Sequence, residues 1–473
     1  MGLQRIRVGL FLFGLLLSLP AWSNPETAAP ASAVPDPFPV PAVLKPNVAF
    51  WCKVFAVWRR DQVVLHDSDH LGLIYETLEL PGPVGERQSR AQRDYVRRAR
   101  AALEDRLARL ERRVRGGRVL DARQRALLAR IIAFAGPHAL AGAADRVRAQ
   151  RGMRGRFLRG LERSGRYEAR FRAIFRAAGL PPDLAYLPHV ESSFRSAARS
   201  SAGAVGMWQF TRSAGRVFLQ IDRAVDERRD PFAAARAAAG YLKTAYAALE
   251  SWPLAVTSYN YGILGMMQAR ERYGTDFTRI LQDYRSRTFG FASRNFYAEF
   301  LAARAIARDP RRWFGHAIRY DRPIAQDRVV LKRPVRVRVL AAHYRVAPVT
   351  LAALNPAWNR IVVRGRIPLP AGSTVRLPAG RVAEFGIAHR WARLHRAPHP
   401  VPVVLRLIRA AEAQVRGAGS RALYHIVRRD ETLTGIARRY RIPLPRLRAL
   451  NGIPRGDDLI RIGERLLVRA PRY

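Results

Sequence analysis

At 473 residues the chain is too long for one ordinary core and points to roughly three domains, with 48% hydrophobic residues to bury. The formal charge of +46 comes almost wholly from arginine, with only four lysines, which reads as a composition bias as much as a selected face and suits an acidic polymer partner. A single cysteine, Cys52, excludes an intrachain disulfide framework and reads as a small packed side chain.

The chain opens with Arg5 and Arg7 ahead of an apolar run at residues 8–19, then Ala21-Trp22-Ser23. This is the pattern of an export signal over residues 1–23, with the mature chain starting near Asn24. The run is shorter than the about 20 apolar residues of a membrane span, and no later stretch reaches that length, so no transmembrane helix is expected in the mature chain. Residues 24–45, rich in Pro and Ala, read as a flexible leader.

Residues 46–180 read as an N-terminal helical region. Val48, Trp51, Val54, Phe55 and Trp58 mark an amphipathic start, followed by a short strand or turn through His66 and Asp67. His66, Asp67, Asp69 and His70 resemble a metal cluster in composition, but Asp and Ser there suit a turn at a helix start, and no metal is assigned. Val96, Ala99, Leu103, Leu107, Leu110 and Val114 predict a long helix ended by Gly116-Gly117. Helices are predicted over residues 122–134 and 144–178, the latter closed by Gly179.

Residues 181–307 are also expected to be helical. Asp230-Pro231 is an N-cap and first-turn proline, Trp252-Pro253 starts another helix, and Gly262 can stop it. Beyond this block an order of strand, two helices and strand occurs twice, at residues 327–378 and 421–469, with Ala-Leu-Asn triplets at 353–355 and 449–451. Residues 379–420, basic and Pro-containing, read as the linker between the copies.

The segment Val190-Glu191-Ser192-Ser193-Phe194 is followed by a small-residue stretch, then Met207-Trp208-Gln209, then Ser258-Tyr259-Asn260-Tyr261-Gly262. A single acid ahead of a Ser/Gly/Ala loop and a Trp-Gln pair suits a carbohydrate-cleaving site. Asp222, Asp226, Glu227 and Asp230 sit among arginines and read as surface pairs or caps, which leaves one convincing acid.

These three motifs in this order resemble the soluble-lytic-transglycosylase catalytic domain, a lysozyme-like fold. The C-terminal repeat resembles the lysin motif, with Thr432-Leu433, Ile436-Ala437, Tyr440 and Leu450-Asn451 in place, although Asp430-Glu431 stands where that family usually has Gly-Asp. The earlier repeat lacks Thr-Leu and is a degenerate version. The arrangement is similar to the membrane-bound lytic murein transglycosylase D group, without that group's usual lipid-attachment cysteine.

The expected fold class is therefore mainly α: a lysozyme-like helical catalytic domain, an N-terminal helical region and C-terminal small β-α-α-β lysin-motif modules. The resemblance implies a periplasmic enzyme cleaving peptidoglycan between N-acetylmuramic acid and N-acetylglucosamine, leaving 1,6-anhydro ends. Glu191 would act as acid and then base. Ser200 and Gln209 would contact the sugar, and Tyr259 with Asn260 would line the cleft. Many relatives carry a glutamate at the start of the closing helix, where this chain has Ala292. The expected partner is the glycan strand, with no cofactor, no metal, no nucleic acid, proximity to a membrane and a monomeric state. The competing readings are a goose-type muramidase that hydrolyses the same bond and a non-catalytic wall-binding scaffold.

Overall fold

The computed structural model describes residues 36–387 and 392–394 and, further on, 423–427, 431–440, 442–451, 453, 460 and 465–469. The export signal, the leader up to residue 35, most of the expected linker and Asp430 lie outside the described residues.

Helix α1 (Lys45–Ala56) buries Phe50, Trp51, Val54 and Phe55, and is followed by strands β1 (Gln62–Asp67) and β2 (Ile74–Glu79). Ser89 and Gln92 form a reciprocal capping box that starts α2 (Arg90–Arg115), and Asp121 with Gln124 does the same for α3 (Ala122–Ala135). Leu103, Leu107 and Leu110 of α2 pack with Leu65, Tyr75 and Ile131 into a separate small core. The helical reading of residues 144–178 fails at its start, because Val147–Arg151 form strand β3 antiparallel to β1, giving the order β2-β1-β3. Only Val147 of those five residues is buried, so no apolar stripe supports a helix, and the open edge of β1 supplies the backbone partners.

The helical body continues through α4 (Arg154–Ser164), α5 (Glu168–Ala177), the short α6 (Leu187–Glu191) and α7 (Arg212–Phe218). Asp230 then caps α8 (Pro231–Leu249) by accepting from the amides of Phe232 and Ala233 at 2.9 and 2.8 Å. α9 (Trp252–Tyr261) stops at Gly262, whose φ of 95° suits glycine, and is followed by α10 (Ile263–Tyr273) and α11 (Phe277–Asp283). α12 (Phe291–Arg308) is the central, mostly buried helix, and α13 (Pro310–Phe314) follows it.

α1 and α12 share this core. The Asn295 side chain accepts from Asn47 at 3.1 Å and from the Trp51 indole at 3.4 Å, and the Trp51 and Phe291 rings lie 6.5 Å apart. Whereas α2 and α3 belong to the smaller core, α1 is thus built into the same buried cluster as α4 to α13. The leader also ends in this cluster. Phe38 is fully buried against Trp252 and Phe300, and Tyr297 donates to the Pro39 carbonyl at 2.8 Å.

The first repeat comprises β4 (Gln326–Leu331), α14 (Val337–His343), α15 (Pro348–Leu354), α16 (Arg360–Val363) and β5 (Thr374–Pro378). α17 (Arg381–Phe385) and β6 (Ala392–Leu394) extend it, the latter pairing with β4, so the start of the expected linker is folded onto this module. The second repeat pairs β7 (Leu423–Ile426) with β8 (Arg465–Arg469) around helices Leu433–Arg439 and Leu444–Asn451.

The matched triplets mark the same structural device. Asn355 donates to the carbonyls of Leu351 and Arg376 and accepts from the Arg376 amide, each at 2.8 Å. Asn451 does the same with Leu447 and Leu467, at 2.8, 3.1 and 2.7 Å. In each copy one amide side chain ties the end of the second helix to the last strand, satisfying backbone groups that a helix end would otherwise leave open.

Candidate active site

Glu191 is the last residue of α6, a helix of 5 residues with Pro188 in its first turn. The chain then turns sharply. Ser193 and Phe194 adopt φ of 52° and 58°, a left-handed conformation that non-glycine residues take only when their surroundings enforce it. Here the enforcing contacts are visible. Arg163 donates to the Ser193 carbonyl at 2.7 Å and Arg156 to its hydroxyl at 3.1 Å, while the Phe194 amide reaches back to the Pro188 carbonyl at 3.1 Å. Phe194 is buried, stacked near Phe171 and Tyr167.

His189 forms the rear of this wall. It is fully buried, stacked on Phe157 at 4.9 Å and edge-on to Phe194 at 4.6 Å, and neither ring nitrogen has a hydrogen-bond partner. Burial, reinforced by the Arg163 charge, pushes its ionisation down to about 3, so the ring is neutral and serves as an aromatic filler.

The second wall is the segment 198–210. Ser192 donates to the Met207 carbonyl at 2.8 Å, and Tyr259 from α9 donates to the Trp208 carbonyl at 2.9 Å. These two bonds bring Glu191, residues 207–209 and Tyr259 together. Gln209 has φ of 50° and donates to the Gly206 carbonyl at 2.7 Å. Ser200 lies further out on the same loop, its hydroxyl accepting from the Ala204 amide at 3.0 Å. Asn260 is exposed, and its side-chain oxygen accepts from Ser293 at the start of α12 at 2.7 Å.

Glu191 is half-buried, with some solvent access despite lying deep among protein atoms. Burial is the larger cause that pushes its ionisation up to about 8, and the nearby Glu299 carboxyl is the second. The Glu191 charge in turn, after burial, raises Tyr259 well above the usual phenol range. Glu299 is the acid that sequence reading missed. It too is half-buried, with ionisation pushed up to about 8 by burial. Its signal in the sequence was a lone carboxylate in the otherwise apolar run Phe296-Tyr297-Ala298-Glu299-Phe300-Leu301. Ala292 is exposed at the start of the same helix.

Of the other acids, read as surface pairs or caps, Asp226 and Asp230 are caps but do not lie at the surface. Asp226 and Asp230 are buried, the former paired with Arg228 at 2.8 Å and the latter with Arg376 of the first repeat. The His66 to His70 segment ends a strand and does not open a helix. The Asp67 carboxylate accepts from the amides of Asp69 and His70 at 2.8 and 3.0 Å and pairs with Arg146 at 2.9 Å.

Residues 171–280, which hold Glu191, the 198–210 segment and Tyr259, match the family model described as Transglycosylase SLT domain. The chain carries an SLT domain of lysozyme-like fold. Residues 425–469 match the LysM domain. Two curated relatives are each 31% identical over 165 residues: the membrane-bound lytic murein transglycosylase D of Escherichia coli strain K12 and that of Escherichia coli O6:H1 strain CFT073. The match covers 34% of this chain and 36% of each relative, so it spans about a third of their length. The SLT match ends before α12, so Glu299 lies beyond it. Among the described residues, no helix is long and apolar enough to cross a membrane.

Proposed function

We propose that this chain is a peptidoglycan lytic transglycosylase of the cell envelope, exported to the periplasm, with Glu191 as its proton-transfer group. The observation that carries this reading is the state of Glu191 inside an SLT domain. Its carboxyl keeps its proton up to a pH of about 8, and the backbone that follows it is held in a strained conformation. A proton donor to a glycosidic oxygen must be protonated when substrate arrives, and burial supplies that condition at neutral pH.

In the proposed reaction Glu191 protonates the oxygen between N-acetylmuramic acid and N-acetylglucosamine, and that bond breaks. The acetamido oxygen of the muramoyl residue closes on its own anomeric carbon, supplying the nucleophile that two-carboxylate glycosidases take from the protein. The muramoyl 6-hydroxyl then attacks the same carbon, its proton returns to Glu191, and the acetamido group is released. The product is a 1,6-anhydro sugar, and water is not consumed. Gln209 and Ser200 on the loop wall, with Tyr259 and Asn260 opposite, are the side chains proposed to hold the sugars, and the LysM domain binds the same glycan polymer.

The first test is Glu191→Gln in the full chain on purified sacculi. Release of soluble fragments falls at least about a hundredfold, while retention of the protein on sacculi is unchanged. Survival of cleavage would remove Glu191 from the chemistry. Mass spectrometry of the parent's products separates the proposed reaction from hydrolysis, because anhydro ends are lighter by one water.

A further inference from the structure

Along α12 the residues Ala292, Phe296, Glu299 and Ala303 follow one another on one face, since a step of seven returns to within about 20° of its starting direction. Ala292 is exposed at the mouth of this line, and Phe296 stacks its ring on Tyr259 at 6.4 Å with an interplanar angle of 8°. Glu299 comes one turn further in, about 10 Å along the axis from Ala292. Its neighbours on the helix, Ala298, Phe300, Leu301 and Ala302, are all buried, yet Glu299 keeps partial access to solvent. Glu191 shows the same combination among the buried His189, Ser192, Ser193 and Phe194. α6 and α12 pack directly on each other. Neither carboxyl forms a hydrogen bond or ion pair with any described residue.

A half-buried carboxylate with no protein partner is costly to keep, because its charge loses hydration without compensation. Two such groups on packed helices form a cluster that core packing does not require. We propose that Glu299 is the second carboxyl of this site, a positioning residue whose charge helps to hold the proton on Glu191. The proposal rests on the reading of Glu191 as the proton donor.

Burial pushes both carboxyls up to about 8, and the Glu299 charge is a further cause that raises Glu191. The two groups therefore titrate as a coupled pair, in which a charge on Glu299 opposes loss of the Glu191 proton. The titratable and charged groups on the surrounding elements include His189 on α6, Tyr259 and Tyr261 on α9, Cys52 and Lys53 on α1, Arg156 and Arg163 on α4, Arg294 on α12, and Tyr186 and Asp183 ahead of α6, with Asp183 engaged by Arg172, Arg304 and Arg308. His189 is neutral, and the Tyr259 and Cys52 protons stay on well above neutral pH.

The test is the pH profile of fragment release from sacculi by the full chain, normalised to bound protein, for the parent and Glu299→Gln. The substitution keeps the shape of the side chain and removes its charge. The alkaline limb, where Glu191 loses its proton, moves down by about one pH unit, while activity at the acid end is largely kept. A limb that stays in place overturns the proposal. If Glu299→Gln does not fold, Glu299→Asp withdraws the charge by one methylene and must move the limb in the same direction by less; an unmoved limb there overturns it equally. Glu191→Gln separates the two readings. If Glu191→Gln still cleaves, the underlying assignment fails. If it is inactive and the Glu299 variants leave the limb unmoved, only the role of Glu299 fails.

Discussion

Two carboxyls whose folded-state ionisation is pushed up to about 8 hold protons that the unfolded chain has already released above its ordinary 4.5. The sign of the consequence follows. Below pH 4.5 both states are protonated and nothing is lost; between 4.5 and 8 the folded state binds more protons than the unfolded one, so stability declines as pH rises; above 8 the loss is complete. Glu191→Gln removes one of these groups. It is therefore expected to be more stable than the parent by roughly 1–3 kcal/mol at pH 8, with the difference disappearing by pH 4, as read from denaturant unfolding. A difference that did not vary with pH would mean that burial is not what keeps the proton on Glu191. At this scale the sequence singled out Glu191 through three ordered motifs but not Glu299, because a lone acid in a helix reads as a surface residue until its neighbours in space are known.

The elements that position the site were legible where their signals are local. Asp230-Pro231 opens α8, and Gly262 ends α9, because caps act within a few residues of chain. Strand β3 was not legible, since its partner β1 is about 80 residues earlier in the chain. The 198–210 wall depends on a glycine for a reason that is equally non-local. Gly206 has φ of 85°, and a Cβ there would lie 1.8 Å from the Arg228 carbonyl oxygen. Gly203, with φ of 77°, has open space around it. Gly206→Ala should therefore destabilise the chain by at least about 2 kcal/mol and lower sacculus cleavage, because the carbonyl that anchors Gln209 is displaced. Gly203→Ala carries only the backbone penalty of about 1 kcal/mol. Equal effects in thermal melts would show that the close approach to Arg228 does not matter.

For the molecule as a whole, the reading of residues 46–180 and 181–307 as separate regions missed the shared core of α1 and α12, since long-range packing leaves no periodic trace. It also missed how the first repeat is attached. Val225 bridges to Trp358, the Asp226 amide reaches the Ala357 carbonyl at 2.8 Å, and Ala224 and Val225 enter the core of the repeat. Arg376 meets Asp230 with both side chains almost fully buried. Arg376→Met leaves the Asp230 charge buried and unpaired, and about 3–5 kcal/mol of stability is expected to be lost from the SLT domain and the first repeat together, in one calorimetric transition. Removing the chain from residue 421 onward leaves that transition in place, because among the described residues the C-terminal cluster draws on residues 427–468. Two separable transitions for the SLT domain and the first repeat would contradict the attachment.

Ser193, Phe194 and Gln209 hold backbone conformations that no ligand has to induce. In the proposed function a sugar strand entering between them would meet a finished mould, one whose ordering entropy was spent when the chain folded. Under the proposed function, binding energy from distant saccharide units is then left to bend the ring being cut.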